Sequence, residues 1–177
     1  PGGTPSAEII RNLILKDYFS KHQKEKFLKY TDTLLYLAAR NEHVNNKIIP
    51  HLKRKFIVIC DRFIDSTRAY QVHGKKVSSS FINNIHKTIL KNLKPDITFI
   101  LKVKPETALN RLKKRKLVNR YDKFPKKFYI NAQKAFLKIA KNKKNYYVLN
   151  SSKDTSDLEK KIYQIVLARL SRWALKI

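Results

Sequence analysis

The sequence predicts an α/β protein whose mostly parallel sheet is covered by helices on both faces. Three continuous apolar runs of strand length predict the sheet: FIVIC at 56–60, ITFIL at 97–101 and YYVL at 146–149. Unbroken apolarity suits strands buried on both faces, as in a parallel sheet. Helical patterns lie between and after the runs, at 81–93, 106–115, 128–140 and 158–175, and strands alternating with helices imply parallel pairing.

Two helices precede the first run. Thr4 can cap the first, Pro5 fits its opening position, and Glu8 suits its positive end. Ile9, Ile10, Leu13 and Ile14 then recur at helical spacing. The second carries Leu34, Leu35, Leu37 and Ala38 and continues to Ile48 and Ile49, where Pro50 is expected to break it. The first strand ends in Cys60-Asp61-Arg62-Phe63 and the second in a plain connection, Lys102-Val103-Lys104-Pro105. The third ends in Asn150-Ser151-Ser152-Lys153, as suited to a turn and helix cap as to a ligand. The densest charge cluster, at 111–122, is expected to be a mobile loop. With no repeats and no linker, residues 1–177 read as one domain.

At 42% hydrophobic and 30% charged residues, the chain can bury a core and is not a disordered tail. No stretch approaches the roughly 20 apolar residues of a membrane helix. A single cysteine, Cys60, and no signal-peptide pattern imply a reduced, cytoplasmic setting. The chain has no methionine and opens at Pro1 inside a PGGTP turn, so it is expected to lack its natural N-terminus. The net charge of +27 suggests a polyanionic partner, nucleic acid included. Most of the excess is lysine scattered in ones and twos, which reads as a solvated surface. The fewer arginines sit beside site-like residues, and their planar fork suits phosphate.

Open parallel sheets bind ligands beyond the carboxyl ends of their strands. Asp61 and Arg62 stand at such an end, placed for Mg²⁺ and a phosphate; the plainer alternative is a surface ion pair. A phosphate loop GxxxxGK[ST] is absent: the three glycines are Gly2, Gly3 and Gly74, and none fits the pattern.

Several strings, in order, resemble the bacterial thymidylate kinase family: PGGTPSAEIIR at the start, LLYLAARNEHV at 34–44, CDRFIDSTRAYQ at 60–71, LKPDITFIL at 93–101, ALNRLKKRKLVNRYD at 108–122 and VLNSSKD at 148–154. The resemblance implies a P-loop NTPase-like fold of the nucleoside monophosphate kinase type, here without the first strand, phosphate loop and first helix. It implies a lid-like segment at about 111–123. It also implies transfer of the ATP γ-phosphoryl group to dTMP, giving dTDP for dTTP synthesis, with Mg²⁺. The partners are then dTMP, ATP and a second copy in a homodimer, not nucleic acid or membrane. Without the phosphate loop, these 177 residues alone are expected to be inactive.

Carried over residue by residue, Tyr36 matches the ring that stacks on thymine, a contact worth roughly 1–3 kcal/mol. Arg40, four residues on, matches the arginine that contacts the base; read without the family it is a solvated helix arginine. Arg62 matches the arginine that holds the dTMP phosphate, and Asp61 the carboxylate that organises the metal's water shell. Thr67 falls near the thymine edge, Tyr70 beside the sugar, where a 2′-hydroxyl would clash, and Gln71 near the base or Tyr70. In the lid, Arg115 and Arg120 match the catalytic arginines, a kind of group worth about 10³–10⁵ in rate. Arg111, Arg115, Ser152 and Lys153 match the ATP side. The sequence departs from the family at Phe63, where tyrosine is usual, at Glu42-His43, at Lys102 and at Asp122. A basic nucleic-acid-binding protein and a kinase for another nucleoside monophosphate are the alternatives. The ordered set of site strings favours thymidylate.

Overall fold

The computed structural model describes residues 2–16, 26–114, 124–153 and 156–174. Along them run α1 (Pro5–Leu15), α2 (Lys29–His43), α3 (Ile49–Lys53), α4 (Ile64–Thr67), α5 (Ser79–Leu90), β1 (Thr98–Lys102), α6 (Pro105–Lys113), α7 (Lys126–Ala140), β2 (Tyr146–Asn150) and α8 (Ser156–Ala174). Stretches of wider π-helix join α2 to α3 (Val44–Ile48) and extend α4 (Arg68–Gly74). The chain divides into two compact units, Pro1–Leu93 with Arg115–Phe136 and Lys94–Lys114 with Leu137–Ile177.

The first unit begins as the sequence predicts. Thr4 Oγ1 accepts the Ala7 amide at 3.2 Å, and Pro5 occupies the first turn. α1 buries Ala7 and Ile14, and Ser6 Oγ donates to Glu42 Oε2 of α2 at 2.9 Å. Gly3 has φ of +97°, and a Cβ there would lie 3.0 Å from the His43 ring, so this turn demands glycine. Pro50 does not break the second helix. It sits in the first turn of α3, and the π-helical stretch before it accommodates the missing N–H. One apolar cluster joins Leu37 of α2 to Val77 and Ile82, and a second joins Val44, Ile48 and Leu90. A short ion pair, Lys75 Nζ to buried Asp32 Oδ2 at 2.5 Å, ties the start of α2 to the residue after the second π stretch.

The run at 56–60 departs from expectation. Among the described residues it joins no ladder, and Phe56, Ile57 and Ile59 are 51, 65 and 94% exposed. Only Val58 and Cys60 reach the second cluster. The run is apolar on both sides, but core covers one side alone.

In the second unit β1 and β2 pair in parallel, from Thr98↔Tyr146 to Lys102↔Asn150. This pairing and its strand boundaries agree with the predicted runs to within a residue. Phe99 and Tyr147 face each other across it with centroids 5.7 Å apart, and Ile100 and Leu149 are buried. The helices α6, α7 and α8 fall within about a turn of their predicted positions.

Candidate functional site

The chain turns sharply after the apolar run. Arg62 has φ of +63°, in the left-handed region that a side-chain-bearing residue enters at a cost of roughly 1–2 kcal/mol. The turn carries its guanidinium to 5.4 Å from the centroid of the Tyr70 ring. Although Arg62 is exposed, partial desolvation works against its charge, but the Tyr70 phenol, Asp61 and Tyr36 lie near enough to hold its pKa above the ordinary arginine value. Asp61, Arg62, Tyr36 and Tyr70 therefore share one neighbourhood. Tyr70 in turn packs against Phe128 and Phe136 at 5.5 and 6.2 Å. A Cβ at Gly74 would lie 2.7 Å from Phe128, so this packing depends on a residue without a side chain.

Arg40 is only 3% exposed, not the solvated arginine that its helix position alone suggests. Its Nη1 donates to Thr67 Oγ1 and to His86 Nε2, the latter at 3.2 Å, and Nη2 donates to the Phe63 carbonyl at 3.0 Å. Burial lowers its pKa to about 10, with Cys60 and Asp65 acting the other way, so it stays charged at neutral pH. Buried charges persist only when hydrogen-bonded in this way. Thr67 and Gln71 are buried too, on consecutive turns of α4 and its π-helical extension.

His86 was not legible as a site residue. It lies on α5 between Ile82 and Leu90, four residues to either side and both buried. A polar residue in an apolar stripe is the signal that could have found it, because buried polar groups need partners. Burial first, then Arg40 and Arg68, lower its pKa to about 4. It is neutral at pH 7. Because a guanidinium can only donate, Nε2 accepts and the ring proton is assigned to Nδ1.

A pH dependence follows. In the unfolded chain His86 titrates near 6.5 and in the folded protein near 4, so between these values the unfolded state binds more protons. Its contribution is fully present above pH 6.5 and is lost as pH falls toward 4. Chemical denaturation across that range should show stability falling on acidification. His86→Gln should flatten the slope; an unchanged slope would contradict the assignment.

Arg111 is exposed on α6, and Lys153 is exposed beyond β2. Ser152 Oγ accepts the Lys104 amide at 3.1 Å, stitching the end of β2 to the start of α6. These three belong to the second unit. Arg115 and Arg120 lie outside the described residues. Asp61, exposed beside Arg62, offers the oxygen donor that a hard divalent cation prefers. Among the described residues no three His, Cys, Asp or Glu side chains converge on a metal position.

A family model described as thymidylate kinase matches residues 1–162. The chain is 33% identical over 172 residues to the thymidylate kinase of Hahella chejuensis, covering 97% of this chain and 80% of that protein. It is 34% identical over 171 residues to the thymidylate kinase of Buchnera aphidicola, covering 97% and 79%. The crystal structure of thymidylate kinase from Ehrlichia chaffeensis aligns with a TM-score of 0.68 at 30% identity, over 96% of this chain and 77% of that one.

Proposed function

The chain belongs to the thymidylate kinase family, and from that membership we propose how its first unit receives the acceptor nucleotide. The fold is that of the P-loop nucleoside monophosphate kinases, and the activity is ATP-dependent phosphorylation of dTMP to dTDP. The neighbourhood around Arg62 supports the following roles. Arg62 holds the dTMP phosphate through its planar fork. Tyr36 stacks on thymine. Arg40 and Thr67, already bonded to each other, meet the base edge with Gln71. Tyr70 packs beside the sugar and excludes a 2′-hydroxyl.

Phosphoryl transfer is mostly positioning and charge stabilisation. Asp61 would hold Mg²⁺, through water, one exposed carboxylate being a usual protein share of such a site, and the bound ion would supply positive charge to offset the phosphates. On the ATP side we assign Arg111, Arg115, Ser152 and Lys153, with Arg115 and Arg120 acting at the transferred group alongside Asp61 and Arg62. We read residues 1–177 as belonging to one kinase domain, with a lid-like segment at about 111–123. From family membership we also propose a homodimer, with which the exposed Tyr163 and Leu167 on α8 are compatible. No helix among the described residues is long and apolar enough to cross a membrane. From family membership and the lone cysteine Cys60 we propose a cytoplasmic location.

One observation carries the reading: a strained backbone turn brings Arg62 over the Tyr70 ring, with Asp61 and Tyr36 near enough to act on its charge. The test is product formation by the full-length enzyme with dTMP, dUMP and UMP in competition. dTMP should be preferred, and UMP should be rejected most strongly. Faster turnover of UMP or dUMP than of dTMP would overturn the assignment of Tyr36, Arg40, Thr67 and Tyr70.

A further inference from the structure

We propose that His86 is a positioning residue for the nucleotide base, holding the Arg40 guanidinium in the orientation from which it meets thymine. This rests on the reading of Arg40 as a base contact. Three hydrogen bonds locate the guanidinium: to Thr67 Oγ1, to the Phe63 carbonyl and to His86 Nε2. The first two acceptors lie four residues apart on one segment and move together. His86 belongs to α5 and is the independent anchor, wedged between the core residues Ile82 and Leu90.

The three bonds use three of the five N–H donors that a guanidinium has. Without His86, Nη1 could swing about the Thr67 contact and carry the remaining donors away from the base. A neutral acceptor also suits the task better than a carboxylate. It fixes the guanidinium without forming an ion pair with it, so the charge stays available to a ligand. His86 Nδ1 meets no partner among the described residues, so packing and the Arg40 bond set the ring's orientation. Among the described residues, the charged groups that act on the ring are Arg40 and Arg68, and Arg68 is itself bonded to Asn83 Oδ1 at 3.3 Å.

The test is steady-state kinetics of the full-length enzyme carrying His86→Leu, His86→Gln, Arg40→Lys, or Arg40→Lys with His86→Leu. His86→Leu should raise the KM for dTMP about tenfold, the scale of one hydrogen bond to a charged group. The kcat and the KM for ATP should change by less than about threefold. His86→Gln, whose amide oxygen reaches the Nε2 position, should recover most of the loss. The double variant should be no worse than Arg40→Lys, because both changes act through one contact.

A raised dTMP KM in Arg40→Lys but not in His86→Leu would overturn the positioning role and leave the base contact standing. An unchanged dTMP KM in Arg40→Lys would overturn the base contact itself. Equal losses in His86→Leu and His86→Gln would reduce His86 to packing. Should His86→Leu fail to fold, nitrogen NMR of the unaltered protein at pH 7 decides the geometry. A ring protonated at Nδ1 supports the proposal, and one protonated at Nε2 overturns it.

Discussion

Replacing Arg62 by alanine should raise the KM for dTMP by about 100-fold or more in the full-length enzyme, leaving the KM for ATP within about threefold. A guanidinium meets a phosphate through two parallel charge-assisted bonds, each worth roughly 1.5–3 kcal/mol. Alanine removes both, and among the described residues the groups that act on the Arg62 charge are Asp61 and the phenols of Tyr36 and Tyr70, none of them a cation. Competitive binding of dTMP and of an ATP analogue to the variant checks the result. Equal loss of the two ligands, or loss of neither, would sink the assignment. The backbone supplies a second reading of the same site. At φ of +63°, Arg62→Gly relieves strain that Arg62→Ala keeps. The glycine variant should therefore be the more stable by about 1 kcal/mol while binding dTMP no better. Strain retained at this residue is then held for function, since stability alone would favour glycine.

Arg40→Leu should destabilise the folded protein by about 3–5 kcal/mol, measured by denaturant unfolding. The guanidinium is 3% exposed and supplies the donor to Thr67 Oγ1, to the Phe63 carbonyl and to His86 Nε2. Leucine has similar bulk, but it strips three acceptors of their donor and removes the cation near Asp65. Each buried acceptor left unmet costs roughly 1–3 kcal/mol. Arg40→Lys keeps the charge but only part of the fork, so it should lose less. A loss below about 1 kcal/mol for leucine would show that the network is dispensable to the fold.

Local rules read from the chain survived wherever the deciding contacts are local. Thr4 and Pro5 start α1 because capping involves residues three apart. The runs at 97–101 and 146–149 also pair as parallel strands, although 48 residues apart, because both are apolar on each side and find each other. The family was legible in the chain as well, since CDRFIDSTRAYQ and LLYLAAR are contiguous strings whose order needs no coordinates. The run at 56–60 looked the same as the other two and behaves differently. Apolar composition says that a segment can be covered, not what covers it, and here only Val58 and Cys60 meet core.

Arg40 and His86 mark the same boundary from the polar side. Forty-six residues separate them, and neither sequence neighbourhood announces the bond between them. Periodicity put Arg40 on a helix face; packing alone turned that face inward and made its charge depend on acceptors from two other segments. Residue type, spacing and caps are properties of the chain. Burial, protonation and the aim of a guanidinium belong to the folded protein, because they arise from groups that only folding brings together.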